Sequence, residues 1–358
     1  MARLPGPNEI DATWLTAALR GAGVLQDGAV TDFTPTPVGN GLVGTSIRFD
    51  LRYYGAEPAA PASVVGKFPS ADETSRHSGR ALRLYRRETS FYRDIAPTVH
   101  IRTPRVLLNE FDPETDDFVL LFEDMGPARG GDQLAGCDVA DAAVAMQEIA
   151  GLHGPRWNDP ALDALDYLSL PPAENARIAQ MVAPVADAFR DRYGHVLEPE
   201  FMAATMRLKD FAEKLVFGTP APHRTVLHGD FRLDNLLFDA KGGTHKLATL
   251  DWQTIGLGCG THDASYFLGA GLRSEDRAAH EHDLLRIYHD QLQAYGVHTY
   301  DWGQCWHDYR KHSLNGLFMA MFSAIVVART ARGDDMFLTM TRRHAAQALE
   351  LGAFALWG

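Results

Sequence analysis

An α+β protein of two lobes, a small antiparallel β-rich one and then a larger, mostly helical one, is the fold class this sequence predicts. Three observations predict it. The chain has 358 residues, which is about two domains at the usual ~150 residues each. Residues 1–125 carry short β-rich runs between turn residues, with one clear helical stretch. Residues 126–358 have mostly helical texture, except for short apolar runs within 225–252. The expected division is 1–125 and 126–358, with a linker near 125–131 and a cleft bordered by the connection.

The elements follow in order. Residues 10–20 (IDATWLTAALR) read as a short amphipathic helix with Asp11 at its start. Residues 30–55 have a Gly-rich centre between β-rich flanks, the pattern of a hairpin. The run 63–68 (SVVGKF) is an apolar strand carrying one lysine, Lys67. Residues 78–95 have helical spacing, with Leu82, Tyr85, Glu88, Phe91 and Tyr92 on one side. RVLLNEFD and DFVLLFEDM, separated by PETD, read as a strand pair. The 13 residues 316–328 (GLFMAMFSAIVVA) are too few for the ~20 of a membrane span. They predict a buried helix or one lining an apolar pocket.

Composition narrows the function. Apolar residues make up 46% and charged residues 22%, ordinary values for a globular chain. The net charge of −12 argues against a nucleic-acid binder, which needs a basic field. Three scattered cysteines build neither a disulfide framework nor a zinc site, so a reducing, cytoplasmic setting is expected. The N-terminus has no apolar signal core. Seven of the 15 histidines fall between His280 and His344, and their spacings fit no zinc-ligand pattern.

The chemistry concentrates in residues 226–235 (VLHGDFRLDN) and 249–253 (TLDWQ). An apolar run delivers a His-x-Asp turn, and Asn235 follows five residues after Asp230. A second apolar run delivers Asp251. Phosphoryl transfer needs such a set: one carboxylate to orient the attacking hydroxyl, and an amide and a carboxylate oxygen for Mg2+.

These motifs resemble those of the aminoglycoside phosphotransferase and choline kinase superfamily, small-molecule relatives of the protein kinases. Within it the texture is closest to the branch of ecdysteroid-kinase-like and acyl-CoA-dehydrogenase-associated enzymes, which TLDWQ resembles. The resemblance implies a protein-kinase-like bilobal fold. It assigns Asp230 as the catalytic residue and Asn235 and Asp251 as metal ligands. It places Lys67 on the nucleotide phosphates and Glu88 as the residue that holds Lys67. The loop 38–46 (VGNGLVGTS) would cover the phosphates through Gly39, Gly41 and Gly44. The main chain from Glu123 to Met125 would face the adenine. His228 and Asp263 are expected to be structural, and Asp234 to point outward. Gln253 departs from the glycine that protein kinases carry after Asp-Phe.

The expected activity is therefore transfer of phosphate from ATP, or GTP, with Mg2+, to the hydroxyl of a small molecule. No nucleic-acid or membrane partner is expected, and the sequence is silent on oligomeric state. A hydroxylated metabolite is the favoured acceptor, with aminoglycosides as the alternative. No acidic block marks a polycation site. Trp302 and Trp306, one helical turn apart, are a candidate cage for a quaternary ammonium or else core residues. Phe337 is a further candidate for an apolar pocket wall. A regulatory nucleotide-binding pseudokinase is the alternative of a different class. A protein kinase is disfavoured by HGD in place of HRD.

Overall fold

The computed structural model describes residues 3–39, 43–55, 59–218 and 222–357. The chain forms two compact units. The first comprises 1–97, 103–127 and 250–253, and the second 98–102, 128–249 and 254–358.

The first unit is built on an antiparallel sheet. Its described strands are β1 (Ala29–Val38), β2 (Gly44–Tyr54), β3 (Ser63–Pro69), β4 (Val106–Asp112) and β5 (Asp117–Glu123), in the order β1-β2-β3-β5-β4. Pro35 and Pro37 lie in β1, where an edge strand tolerates the missing N–H donors. Along β3 burial alternates: Val64, Gly66 and Phe68 face inward, and Lys67 faces the other way. Helix α1 (Ala12–Gly21) starts where the Asp11 side chain accepts a hydrogen bond from Trp14 N–H. Its Leu15 and Leu19 join Phe49, Val64, Phe68, Val119 and Leu121 in the core on that side of the sheet.

The helical spacing over 78–95 predicts one continuous helix, and the structure breaks it. Helix α2 (Glu73–Ala81) ends before Arg83, which has a left-handed φ of 56°, and α3 (Leu84–Ser90) begins there. Packing supplies the reason. Tyr85 lies against Gly79, where a Cβ would sit 2.6 Å from the ring, and its hydroxyl donates to Val43 O at 2.8 Å. The break lets Tyr85 reach both and turns Glu88 inward, to 1% exposure.

The second unit is mostly helical. A two-residue strand β6 (Arg129–Gly130) precedes α4 (Val139–His153), α5 (Pro172–Tyr193), α6 (Pro199–Met206) and α7 (Ala212–Phe217). Then come β7 (Thr225–Leu227), β8 (Leu236–Asp239), the one-turn α8 (Ala240–Gly243), β9 (His245–Thr249) and β10 (Gly256–Gly258). Four helices close the chain: α9 (Thr261–Gly271), α10 (Ser274–Ala294), α11 (Trp302–Val326) and α12 (Ala331–Glu350). β7 pairs with β10, and β8 lies between β6 and β9. The apolar run 316–328 packs Leu317, Ala320, Met321 and Ala324 into the helical core, beside Phe189, Tyr266 and Phe337. Among the described residues no helix is long and apolar enough to cross a membrane.

Gly229, between β7 and Asp230, has φ +80°, and a Cβ there would meet Thr254 O at 2.3 Å. Both the dihedral and the space require glycine. We expect Gly229→Ala to destabilise the protein by at least about 2 kcal/mol, seen as a lower urea midpoint. An unchanged midpoint would contradict this account of the turn.

Candidate active site

The first unit carries a charge cluster set around the buried carboxylate of Glu88. β3 presents Lys67, and its Nζ lies 2.7 Å from Glu88 Oε1 on α3 and 3.2 Å from Asp251 Oδ1. Burial opposes the Lys67 charge, but Asp251 and Glu88 outweigh it and raise its pKa. Burial pushes the Glu88 pKa up, and Lys67 pulls against that shift. Asp251 has a left-handed φ of 62°, a conformation that costs energy and clusters at functional sites. The next residue, Trp252, is fully buried and stacks on Phe91 with ring centroids 3.7 Å apart. Its N–H donates to Glu88 Oε1 at 3.4 Å. The segment 250–253 is thereby fastened to α3 and the residues that follow it.

The predicted glycines fall differently. Gly44 opens β2, and a Cβ there would lie 3.3 Å from Lys67 Cε, so the strand passes close over the lysine. Gly39 has φ +75° and open space about it. Gly41 lies outside the described residues. At the end of β5, Glu123 N–H donates to Arg105 O at 2.9 Å, and Glu123 Oε1 accepts from Arg105 N–H. That amide is therefore committed to the protein and does not donate to a base. Met125 is buried.

The second unit holds Asp230 and Asn235. Asn235 Nδ2 donates to Asp230 O at 2.9 Å and to Asp230 Oδ2 at 3.0 Å. The amide is thus oriented with its Oδ1 left as the oxygen that can meet a cation. Two further donors hold the Asp230 carboxylate. Arg232 Nε lies 3.1 and 3.0 Å from its two oxygens, and the Tyr266 hydroxyl lies 2.9 Å from Oδ1. Burial and the Asp230 charge raise the Tyr266 pKa well above its usual value, so it stays a donor. Burial opposes the charge on Arg232, but Asp230, Tyr266 and Asp234 outweigh it and raise its pKa.

Asp234 corrects an expectation, since it does not point outward. Its carboxylate takes Arg232 Nη1 at 2.8 Å, Arg332 Nη1 at 3.3 Å and Gln133 N–H at 3.0 Å. Two arginines and a main-chain amide from distant segments draw it in. Sequence reasoning also missed Arg232 and Tyr266. Arg232 stands two residues after Asp230, a readable signal, whereas Tyr266 comes from α9 and has none.

Beneath the loop lies fully buried Asp263, near the start of α9. Its oxygens accept from His228 N–H at 2.7 Å and Gly229 N–H at 3.0 Å. His153 Nε2 lies 3.2 Å from Oδ2, and His153 Nδ1 reaches the Tyr288 hydroxyl at 2.9 Å. Burial opposes ionisation of Asp263, yet the hydrogen bond with His153 and the nearby His262 ring hold its pKa well below the usual range. His228 is buried and accepts from Asp230 N–H at 3.2 Å, a structural role.

Within the first unit Lys67 supplies a cation and Asp251 a hard carboxylate oxygen, groups of the kind that bind phosphate and Mg2+, and within the second unit Asn235 Oδ1 is a further hard oxygen. Among the described residues no group of three or more His, Cys, Asp or Glu is placed to hold a metal. Carboxylate and amide oxygens are the donors Mg2+ prefers, an ion that keeps much of its water and takes few protein ligands. The pair Trp302 and Trp306 does not form an open cage. The Arg286 guanidinium sits 3.6 Å from the Trp302 ring centre, and Trp306 stacks between Trp302 and Tyr309.

Because its folded pKa is lowered, Asp263 contributes stability that is present above the unfolded value of about 3.9 and lost as pH falls. Asp263→Asn is expected to cost about 3 kcal/mol at pH 7. Denaturant melts should show that gap narrowing from about pH 4 downward, and equal stability at pH 7 would contradict the role.

Comparison with known proteins agrees with this architecture. Residues 168–298 match the model of the ecdysteroid kinase-like family. The choline kinase from Cryptosporidium parvum Iowa II has a similar structure, with a TM-score of 0.60 and 11% identity, over 97% of this chain and 98% of that one. A GDP complex of an aminoglycoside 2'-phosphotransferase gives a TM-score of 0.55 at 14% identity, over 96% and 99% of the two chains. A microcompartment-associated aminopropanol kinase gives 0.54 at 12%, over 97% and 100%. No curated protein is detectably similar in sequence. The chain therefore shares, along nearly its whole length, the protein-kinase-like α+β fold of these choline kinase and aminoglycoside phosphotransferase structures.

Proposed function

We propose that this protein is a Mg2+-dependent kinase that transfers the terminal phosphate of a nucleoside triphosphate, ATP or GTP, to the hydroxyl of a small molecule. The observation that carries the reading is the buried Lys67–Glu88 pair with Asp251 on Lys67. A lysine so held is costly in a purely structural role and suited to binding phosphate oxygens. The structurally similar proteins include a choline kinase, an aminopropanol kinase and an aminoglycoside phosphotransferase, which supports the class of reaction.

The division of labour follows from the residues. Lys67, braced by Glu88, binds the nucleotide phosphates. Asp251 and the Asn235 Oδ1 are the residues that would hold Mg2+, which would neutralise phosphate charge. Asp230 orients the acceptor hydroxyl and takes its proton as oxygen attacks phosphorus. Asn235, Arg232 and Tyr266 keep the Asp230 carboxylate in one orientation before the acceptor arrives.

The surroundings of Asp230 favour a neutral or acidic hydroxyl compound over an aminoglycoside. A polycation needs unpaired carboxylates, and Asp234 is already matched by Arg232 and Arg332. Arg232 Nη1 also donates to Met336 Sδ at 3.4 Å, so the guanidinium is engaged on that side as well. The complete set of Lys67, Glu88, Asp230, Asn235 and Asp251 favours an active enzyme over a pseudokinase.

The test is a coupled ADP-release assay with Mg-ATP against hydroxy acids, sterols, choline, aminoglycosides and macrolides. Asp230→Asn should lower turnover of any acceptor about 10²-fold or more. Turnover in Asp230→Asn equal to wild type would remove Asp230 from the chemistry. Turnover of aminoglycosides alone would overturn the acceptor class.

A further inference from the structure

Three consecutive residues lean on the Lys67–Glu88 pair. Asp251 Oδ1 meets Lys67 Nζ at 3.2 Å, and Trp252 N–H donates to Glu88 Oε1 at 3.4 Å. The third is Gln253, whose side-chain amide makes a weak, long hydrogen-bond contact with the Glu88 carboxylate that a shift of either side chain would complete. Gln253 is only 6% exposed. Its Nε2 is buried and has no hydrogen-bond partner of normal geometry, and the same holds for Glu88 Oε2. A Cβ on Gly44 would lie 3.5 Å from Gln253 Nε2 and 3.3 Å from Lys67 Cε. The amide and the lysine stem therefore run side by side beneath the start of β2.

A buried amide with no partner destabilises a fold, and an apolar side chain of the same size would remove the cost. Here the donor and the acceptor left without partners sit on side chains that face each other. While Lys67 rests on Glu88 and Asp251, the glutamate is held through Oε1 alone. Phosphates that draw the lysine towards themselves weaken that hold.

We propose that Gln253 is a positioning residue of the nucleotide subsite. Its amide donates to Glu88 Oε2 when the nucleotide engages Lys67, which keeps Glu88 in place and Lys67 aimed. The proposal rests on the kinase reading above and adds to it the residue after the metal motif. Residues 251–253 then act as one unit: a carboxylate for the cation, a main-chain donor and a side-chain donor for Glu88.

The test uses the full-length protein with methylanthraniloyl-ADP and Mg2+ as the fluorescent probe, and thermal melting without nucleotide. Gln253→Leu keeps the volume and removes the donor. It should bind the probe about tenfold more weakly, with an unchanged or higher melting temperature in the free protein. Unchanged affinity, or a melting temperature lowered in step with affinity, overturns the proposal, because a purely structural amide would give that result. Gln253→Glu keeps the shape and turns a carboxylate on Glu88, so the free protein should melt below Gln253→Leu. Equal melting of the two variants also overturns it. Lys67→Ala separates this outcome from failure of the kinase reading. If wild type does not bind the probe, or binds it no better than Lys67→Ala, the nucleotide reading falls. The melting comparison still decides whether residue 253 acts on Glu88.

Discussion

The ammonium of Lys67 buried against the carboxylate of Glu88 is the constraint around which the first unit is arranged. Taking both charges out of water costs several kcal/mol per ion before their attraction returns any of it. The pair is therefore stable only where its surroundings supply further donors and acceptors in fixed places. The alternation of β3 turns Lys67 away from the α1 face of the sheet. The break at Arg83 turns α3 so that Glu88 meets it. The return of residues 250–253 adds Asp251 to the lysine and the Trp252 amide to the glutamate. Stacking of Trp252 on Phe91 supplies the apolar burial that holds this return in place.

The second unit solves a parallel problem with one anion. Asp263 gathers the N–H groups of His228 and Gly229, and so sets the turn from which Asp230 projects. The left-handed glycine allows the turn, and Thr254, whose hydroxyl donates to His228 O, closes its other side. Asp230 is then held through its own carboxylate by groups from its loop and from α9. Orientation of the Asp230 carboxylate is settled by the fold before any ligand arrives.

Much of this was legible where chemistry and short spacing coincide. The step from Asp230 to Asn235, the aspartate after an apolar run and the lysine within SVVGKF all stand within local windows. The hairpin and strand pairs were legible because their turns carry their own residue types. What was not legible depends on partners far along the chain. Asp234 looked like a surface carboxylate because Gln133 and Arg332 stand about a hundred residues away on either side. The periodicity of 78–95 hides the break at Arg83, since the cause is a tyrosine fitted against Gly79 and Val43. Trp302 and Trp306 were correctly placed one turn apart, but Arg286, which covers one of them, comes from another helix. Tyr266 lies in an apolar helical stretch where a tyrosine is ordinary core.

The membership of residues 250–253 in the first unit bears on the order in which this protein is made. A ribosome synthesises residues 1–127 first, yet the piece that stacks under Phe91 and completes the Glu88 environment emerges more than a hundred residues later. At about 5–20 residues per second that is a delay of roughly 6–25 s. During it, the aromatic face of Phe91 and the charged pair lack their cover. The N-terminal unit is therefore not a vectorially folding module, although its strands come early. It is completed late, after the Asp230 turn of the second unit has been translated, and the nascent chain must be kept from aggregation through that interval.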